Sequence, residues 1–423
     1  MDKTVIDSYP RYDSYKDSGE DWIAEIPTTW NSVPLRNIFK FRNEKNNPVI
    51  TDEILSLSIA HGVTKYSDKN RGGNKRKDDI TAYKIARPND IVLNSMNIIV
   101  GAVGLSKYFG AISPVYYALY LHSNEANINY YEWVFHNNSF QKGLLKYGKG
   151  ILIKMGEGGK MNTIRMKISQ HDMKYFILPF PPLKEQEKIA RFLESRTTQI
   201  DQAINLKQQQ IAKLEEYKQI VIQNAVTKGL NPDAQLKDSG VDWIGDIPKH
   251  WEVKKLKYIG KIKNGIDYKH VEVEKGYPVI GSGGQFTYAS KYLYDGEAVL
   301  LGRKGTIDKP LYINGKFWTV DTMFYYICKK EFSTKFVYYC ATTIPFSYFS
   351  TDTALPSITQ SHLNNHKFAV PNLKEQNDIV QFLDTETSKF QILKASYQTQ
   401  INRLKEYKTI LINQAVTGKI KVN

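Results

Sequence analysis

Cysteine is almost missing: Cys328 and Cys340 are the only two among 423 residues. They stand in an aromatic-rich run without ligand-type neighbours, which speaks against a disulfide framework or a metal cluster and fits buried thiols in a reducing compartment. Long apolar runs are missing as well. No stretch approaches the ~18 residues of a membrane span, and the opening MDKTVIDSYPRYDSYKDSG is polar, so neither a span nor a signal peptide is expected and the chain reads as cytoplasmic. Acidic side chains are in deficit. Against 58 Lys and Arg stand 43 Asp and Glu, a formal charge of +15 with a pI near 9.3. Such an excess suits a polyanionic partner, because a nucleic acid backbone is held largely by cations that neutralise phosphates. The 28 tyrosines add rigid contact area of the kind interfaces use.

Catalytic constellations are wanting too. A base methyltransferase needs a Gly-rich cofactor loop after a strand and an Asn/Asp-Pro-Pro-aromatic step, whereas the one Pro-Pro pair, Pro181-Pro182, follows Phe180 and opens a helix. The run from Gly156 to Lys160 lacks the upstream Gly and the following Ser or Thr of a phosphate loop. The run from Gly281 to Gly284 has no helix signal after it and reads as a tight turn. Of the eight histidines only His362 and His366 share helical spacing, and no third ligand accompanies them, so no metal site is expected.

What the chain does have is duplication. Residues 181–227 and 371–417 align without a gap at an offset of 190, with about 21 of 47 positions identical. Each copy opens on P-x-L-K-E-Q, closes on A-V-T and carries an apolar heptad seam without internal Gly or Pro. Leu193, Ile200, Ile204, Ile211, Leu214 and Val221 mark the seam of the first; Leu383, Phe390, Tyr397, Ile401, Leu404 and Leu411 mark that of the second. Each copy should be one long helix. Two matching seams in one chain favour mutual packing over a solvated or intermolecular helix. The short connection 228–237 makes the pair antiparallel.

A second repeat precedes each helix. KDSGEDWIAEIPTTWNSVPLRNI from Lys16 recurs from Lys237 at an offset of 221, each copy with a tryptophan pair, Trp22 with Trp30 and Trp243 with Trp251, that reads as a packing anchor. Between frame and helix lie variable bodies, 41–182 and 262–372. Matched landmarks inside them predict a turn and buried strand at Asn89 and Gly296, a short helix at Tyr130 and Lys335, and a closing strand at Phe176 and His366. The longer first body carries two basic, Gly-containing loops suited to backbone contact with a polyanion. The N-terminal Tyr9-Pro10 before Lys16 echoes Asn231-Pro232 before Lys237. A second copy of the linker at that end should approach the end of the second helix.

The twice-repeated frame, the P-x-L-K-E-Q helix and the A-V-T end resemble, over the whole chain, the specificity subunit of a type I restriction and modification enzyme. The resemblance implies an α/β (α+β) fold with an internal pseudo-two-fold repeat: two globular target recognition domains separated by two long antiparallel helices forming a coiled coil. Its segments would be a tail 1–16, a first recognition domain 17–182, a helix 183–227, a linker 228–237, a second recognition domain 238–372, a helix 373–417 and a tail 418–423. It further implies a non-catalytic, sequence-specific reader of a bipartite, asymmetric site in double-stranded DNA, the helices serving as a ruler. Its partners would be two methyltransferase subunits and two motor and nuclease subunits. S-adenosylmethionine, ATP and Mg would belong to those partners, and no cofactor to this chain. On the residues themselves a stand-alone DNA-binding repressor or architectural protein, or an enzyme with a cryptic site, stays open.

Turn chemistry nominates the reading residues. Asn94, Ser95 and Asn97 in the first body and Arg303, Lys304 and Thr306 in the second follow matched strands, and Asn suits adenine as Arg suits guanine in the major groove. Ser282 and Gln285 in the Gly-rich turn, and Ser357 and Thr359 before the closing strand, join them. Lys65, Arg71, Lys75, Arg76, Lys149, Lys160 and Arg165 of the basic loops are expected to hold phosphates.

Overall fold

The structure is a computed structural model that describes residues 9–68, 79–151, 165–346 and 356–422. The chain divides into two compact units, Met1–Asn205 with Gln400–Asn423, and Leu206–Thr399. Each unit therefore owns a body and one end of each long helix, so the compact boundaries fall inside the helices and not at their starts.

The long helices span Leu183–Lys228 and Leu373–Val416. At ~1.5 Å per residue they are roughly 69 and 66 Å long. Their starts are fixed by Pro182, which has no N–H to leave unpaired, and by Asn372, whose side chain accepts from Glu375 N at 3.0 Å. Both end on a glycine in the left-handed region, Gly229 at φ +74 and Gly418 at φ +71, a conformation that costs a residue with a Cβ. All the seam residues are buried or half-buried.

In the first unit, Tyr15–Asp17 pairs antiparallel with Glu25–Pro27, and Asn31–Pro34 with the closing strand Ile177–Phe180. The body's main sheet has four antiparallel strands in the order Phe39–Arg42, Tyr116–Leu121, Ile91–Asn94, Val103–Leu105. A short helix, Ile128–His136, covers it. The core also takes in Ile189, Ala190, Leu193 and Ile200 from the start of one long helix and Leu411, Ile412, Ala415 and Val416 from the end of the other.

The second unit repeats the frame. Lys16 faces Ile26 in the first unit and Lys237 faces Ile247 here; Val33 faces Leu178 and Lys254 faces Phe368. Those are the partners that the offsets of 221 and 190 demand. The body differs. Its seven-stranded sheet runs Gly260–Asn264, Met323–Cys328, Tyr294–Gly302, Leu311–Thr319, Tyr277–Gly281, Gly284–Ala289, Glu272–Val273. One pairing is parallel, Tyr277–Gly281 against Leu311–Thr319. Ile222, Ala225 and Val226 from the end of the first long helix and Ile379 and Leu383 from the start of the second complete its core.

The P-x-L-K-E-Q motif locks helix to body by the same bonds in both units. Glu185 accepts the indole N–H of buried Trp30 at 2.7 Å, and Glu375 that of Trp251 at 3.0 Å. Gln186 accepts Asn127 N at 2.8 Å and donates to Pro181 O, while Gln376 accepts Ser333 N at 2.9 Å and donates to Pro371 O. Asn127 and Ser333 are the N-caps of the short body helices Ile128–His136 and Thr334–Ala341. At the other end, Tyr130 Oη donates to Val416 O at 2.8 Å, satisfying a last-turn carbonyl. The N-terminal segment does lie beside the end of the second helix: Lys421 N donates to Pro10 O at 2.7 Å, and Tyr12 donates to Glu185.

Candidate nucleic-acid interface

In the second unit four of the nominated residues converge. Arg303 and Lys304 leave the strand Tyr294–Gly302 in a turn that is stitched to the segment before the closing strand. Gly305 N donates to Pro356 O at 2.9 Å and Ile358 N to Arg303 O at 3.0 Å, with Lys304 bridged to Ser357. The result is a cleft of about 400 Å³ lined by Asn264, Arg303, Lys304, Phe324, Ser357, Ile358, Thr359 and Gln360. The Arg303 guanidinium stays exposed, leaning 5.8 Å over the Phe324 ring with one N–H toward Asp321 O at 3.4 Å. That posture leaves further donors for an acceptor pair.

Thr359 sits in the cleft but its hydroxyl oxygen accepts from His362 N at 3.2 Å, capping a short helix. Thr306 is half-buried in the same turn. Ser282 and Gln285 flank the Gly-rich tip that joins Tyr277–Gly281 to Gly284–Ala289, with Gln285 exposed beside Phe286. Asn264 and Gln360 carried no local signal in the sequence. They lie far apart in the chain, and only the pairing of Gly260–Asn264 with Met323–Cys328 brings the first toward the second.

The first unit is less convergent. Asn94 and exposed Asn97 form the turn after Ile91–Asn94, and the Asn94 side-chain oxygen accepts Met96 N at 2.9 Å. Ser95 is a correction. It is fully buried and its hydroxyl donates to Val115 O at 2.8 Å, so it braces the turn and does not face outward. Asp90, just before that strand, is buried against Arg42 in a two-pronged ion pair of 2.6 and 2.9 Å.

Of the basic loops, Lys65 pairs with Glu53 at 2.9 Å and rests near the Tyr108 ring. Lys149 is strongly exposed, 4.0 Å from Asp172. Arg165 is placed by its backbone in Arg165–Lys167, opposite Ile151. Arg71, Lys75, Arg76 and Lys160 lie outside the described residues. Lys84, in contrast, donates to Tyr116 O, and burial together with Lys167 holds its pKa down, which marks it as a structural cation. Burial pushes the Cys328 thiol the other way, up to about 12, as befits an inert thiol. Among the described residues no His, Cys, Asp and Glu gather into a metal-binding group, and no helix is long and apolar enough to cross a membrane.

A duplicated frame that docks helix ends into two dissimilar α/β bodies, one with a polar cleft beside an arginine, defines an internally repeated, two-body protein. Residues 25–216 and 248–403 match the type I restriction modification DNA specificity domain, and the chain belongs to that family. It is similar to the type I restriction enzyme MjaVIII specificity subunit of Methanocaldococcus jannaschii, 26% identical over 438 residues that cover 94% of each chain. The putative type I restriction enzyme MjaX specificity subunit of the same organism is 25% identical and covers 95% of this chain and 96% of its own. Among solved structures, a chain from work on the assembly and conformational transition of the type I R-M system superposes with a TM-score of 0.69 at 14% identity, covering 92% of this chain and 98% of its own. The HsdS subunit of Thermoanaerobacter tengcongensis superposes at 0.51 and 15%, covering 93% and 98%. The chain is thus a specificity subunit with a role in DNA sequence recognition.

Proposed function

We propose that this subunit reads a bipartite, asymmetric target in double-stranded DNA, one half per body, and performs no chemistry itself. The observation that carries the reading is the pairing of a repeated frame with different bodies. Trp–Glu and Gln–N-cap locks recur bond for bond, whereas one sheet has four strands and the other seven. Selection for one binding geometry with two sequence preferences accounts for that division. Asn94, Asn97, Arg303, Lys304, Thr306, Ser282, Gln285, Ser357 and Thr359 supply or shape the reading surface, and the exposed Lys149 with the other loop cations holds phosphates. The long helices act as the spacer between half-sites. Two modification subunits supply the methyl transfer with S-adenosylmethionine. Two restriction subunits supply motor and nuclease action with ATP and Mg.

Sequencing methylated sites in cells that carry the complex tests this. The wild-type chain should mark two short specified segments around a fixed unspecified gap. A helical block inserted between Ile200 and Ile211 should change the gap and leave both segments alone. One contiguous motif, or altered segments around an unchanged gap, would contradict the proposal.

A further inference from the structure

Two neutral amides meet at the cleft of the second unit. Gln360 Nε2 donates to Asn264 Oδ1 at 2.8 Å, and both residues line the same cleft as Arg303. The bond uses one of the two Gln360 N–H groups and orients the amide. Where the N–H given to Asn264 is the one trans to Oε1, the Oε1 acceptor and the cis N–H stand side by side in a plane for a ligand. An acceptor beside a donor at that spacing complements the N6 amino group and N7 of adenine in the major groove. Neither guanine, which offers two acceptors there, nor cytosine, which offers a donor, satisfies both.

We infer that Gln360, held in orientation by Asn264, reads an adenine in the half-site taken by the second body. Asn264 is a positioning residue and Gln360 the specificity-determining one. The inference rests on the DNA-reading function proposed above. Lys304 and Arg303 line the cleft with positive charge, which favours a nucleic acid edge over a cationic ligand.

The test is selection from a randomised duplex library by the complex of this chain with its modification subunits. The wild type should select a site with adenine fixed at one position of one half. Gln360→Ala should lower preference for that adenine roughly ten-fold or more and leave the other half-site unchanged, which also reports that the variant is folded. Gln360→Glu can accept but not donate, and should move preference at the same position toward cytosine. Asn264→Ala should weaken the adenine preference, and Asn264→Asp, which keeps the accepting oxygen, should restore it. A Gln360→Ala complex that weakens all sequences alike, or that alters no position, overturns the inference while the bipartite reading stands. A wild-type complex that selects no sequence overturns both.

Discussion

His366 occupies in the second unit the place that Phe176 holds in the first. Phe176 stacks on Trp22 at 5.7 Å and His366 on Trp243 at 5.3 Å, and each residue's carbonyl accepts at 2.8 Å the N–H that opens the next turn, from Leu35 and Leu256. The price of the histidine is titration. Burial holds its pKa down at about 4 against an ordinary 6.5, so the folded protein keeps it neutral while the unfolded chain takes up a proton. Its contribution is full above pH ~6.5 and is lost as pH falls toward 4, by at most about 1.4 kcal/mol per pH unit. His366→Phe should remove the acid-side loss: unfolding free energies from urea titrations at pH 7 and pH 5 should differ by about 2 kcal/mol more in the wild type than in the variant. Equal differences would show that other groups set the acid limit. At this scale the sequence was partly legible. Position beside matched strands named Arg303 and Ser357, which the fold brings into one cleft. It also named Ser95, since burial is decided by the distant Val115 carbonyl, and it passed over Gln360, whose partner arrives through the sheet.

The helices are the elements on which both units depend, and their ends matter more than their middles. Each C-terminal glycine abuts a frame tryptophan. A Cβ on Gly229 would lie 3.1 Å from Trp251, but one on Gly418 would lie 2.5 Å from Pro27 Cδ and 3.1 Å from Trp30. Alanine at either site incurs about 1–2 kcal/mol for its left-handed backbone. Gly418→Ala should cost a further ~1–3 kcal/mol of overpacking, because the proline ring cannot swing aside. Thermal unfolding of the two variants should therefore rank Gly418→Ala well below Gly229→Ala; equal losses would mean that the frame yields at Pro27. The limits of the long helices were readable from the repeat to within a residue; the offsets also require that whatever pairs in one frame pairs in the other, but which strands pair was not readable from them. Nor was the reason for the K-E-Q repeat, because Glu185 and Gln186 find their partners only after the helix docks.

For the molecule as a whole, two recognition bodies share one scaffold. Helix ends bury themselves in both cores, so neither body is complete without its segment of each long helix. The seven-stranded second sheet, with its single parallel pairing, was hidden in the sequence: its strands pair out of chain order, and alternation alone does not reveal order. The common frame was plain, because it appears twice. With one half of the target read by each body, as proposed above, the bodies should be exchangeable on the shared frame. The most direct measurement is methylated-base sequencing of cells carrying a chimera in which residues 41–182 are replaced by the corresponding body of a related specificity subunit. One half of the target should change to that of the donor while the other half and the gap persist; a chimera that assembles and methylates yet alters both halves together would contradict independent reading.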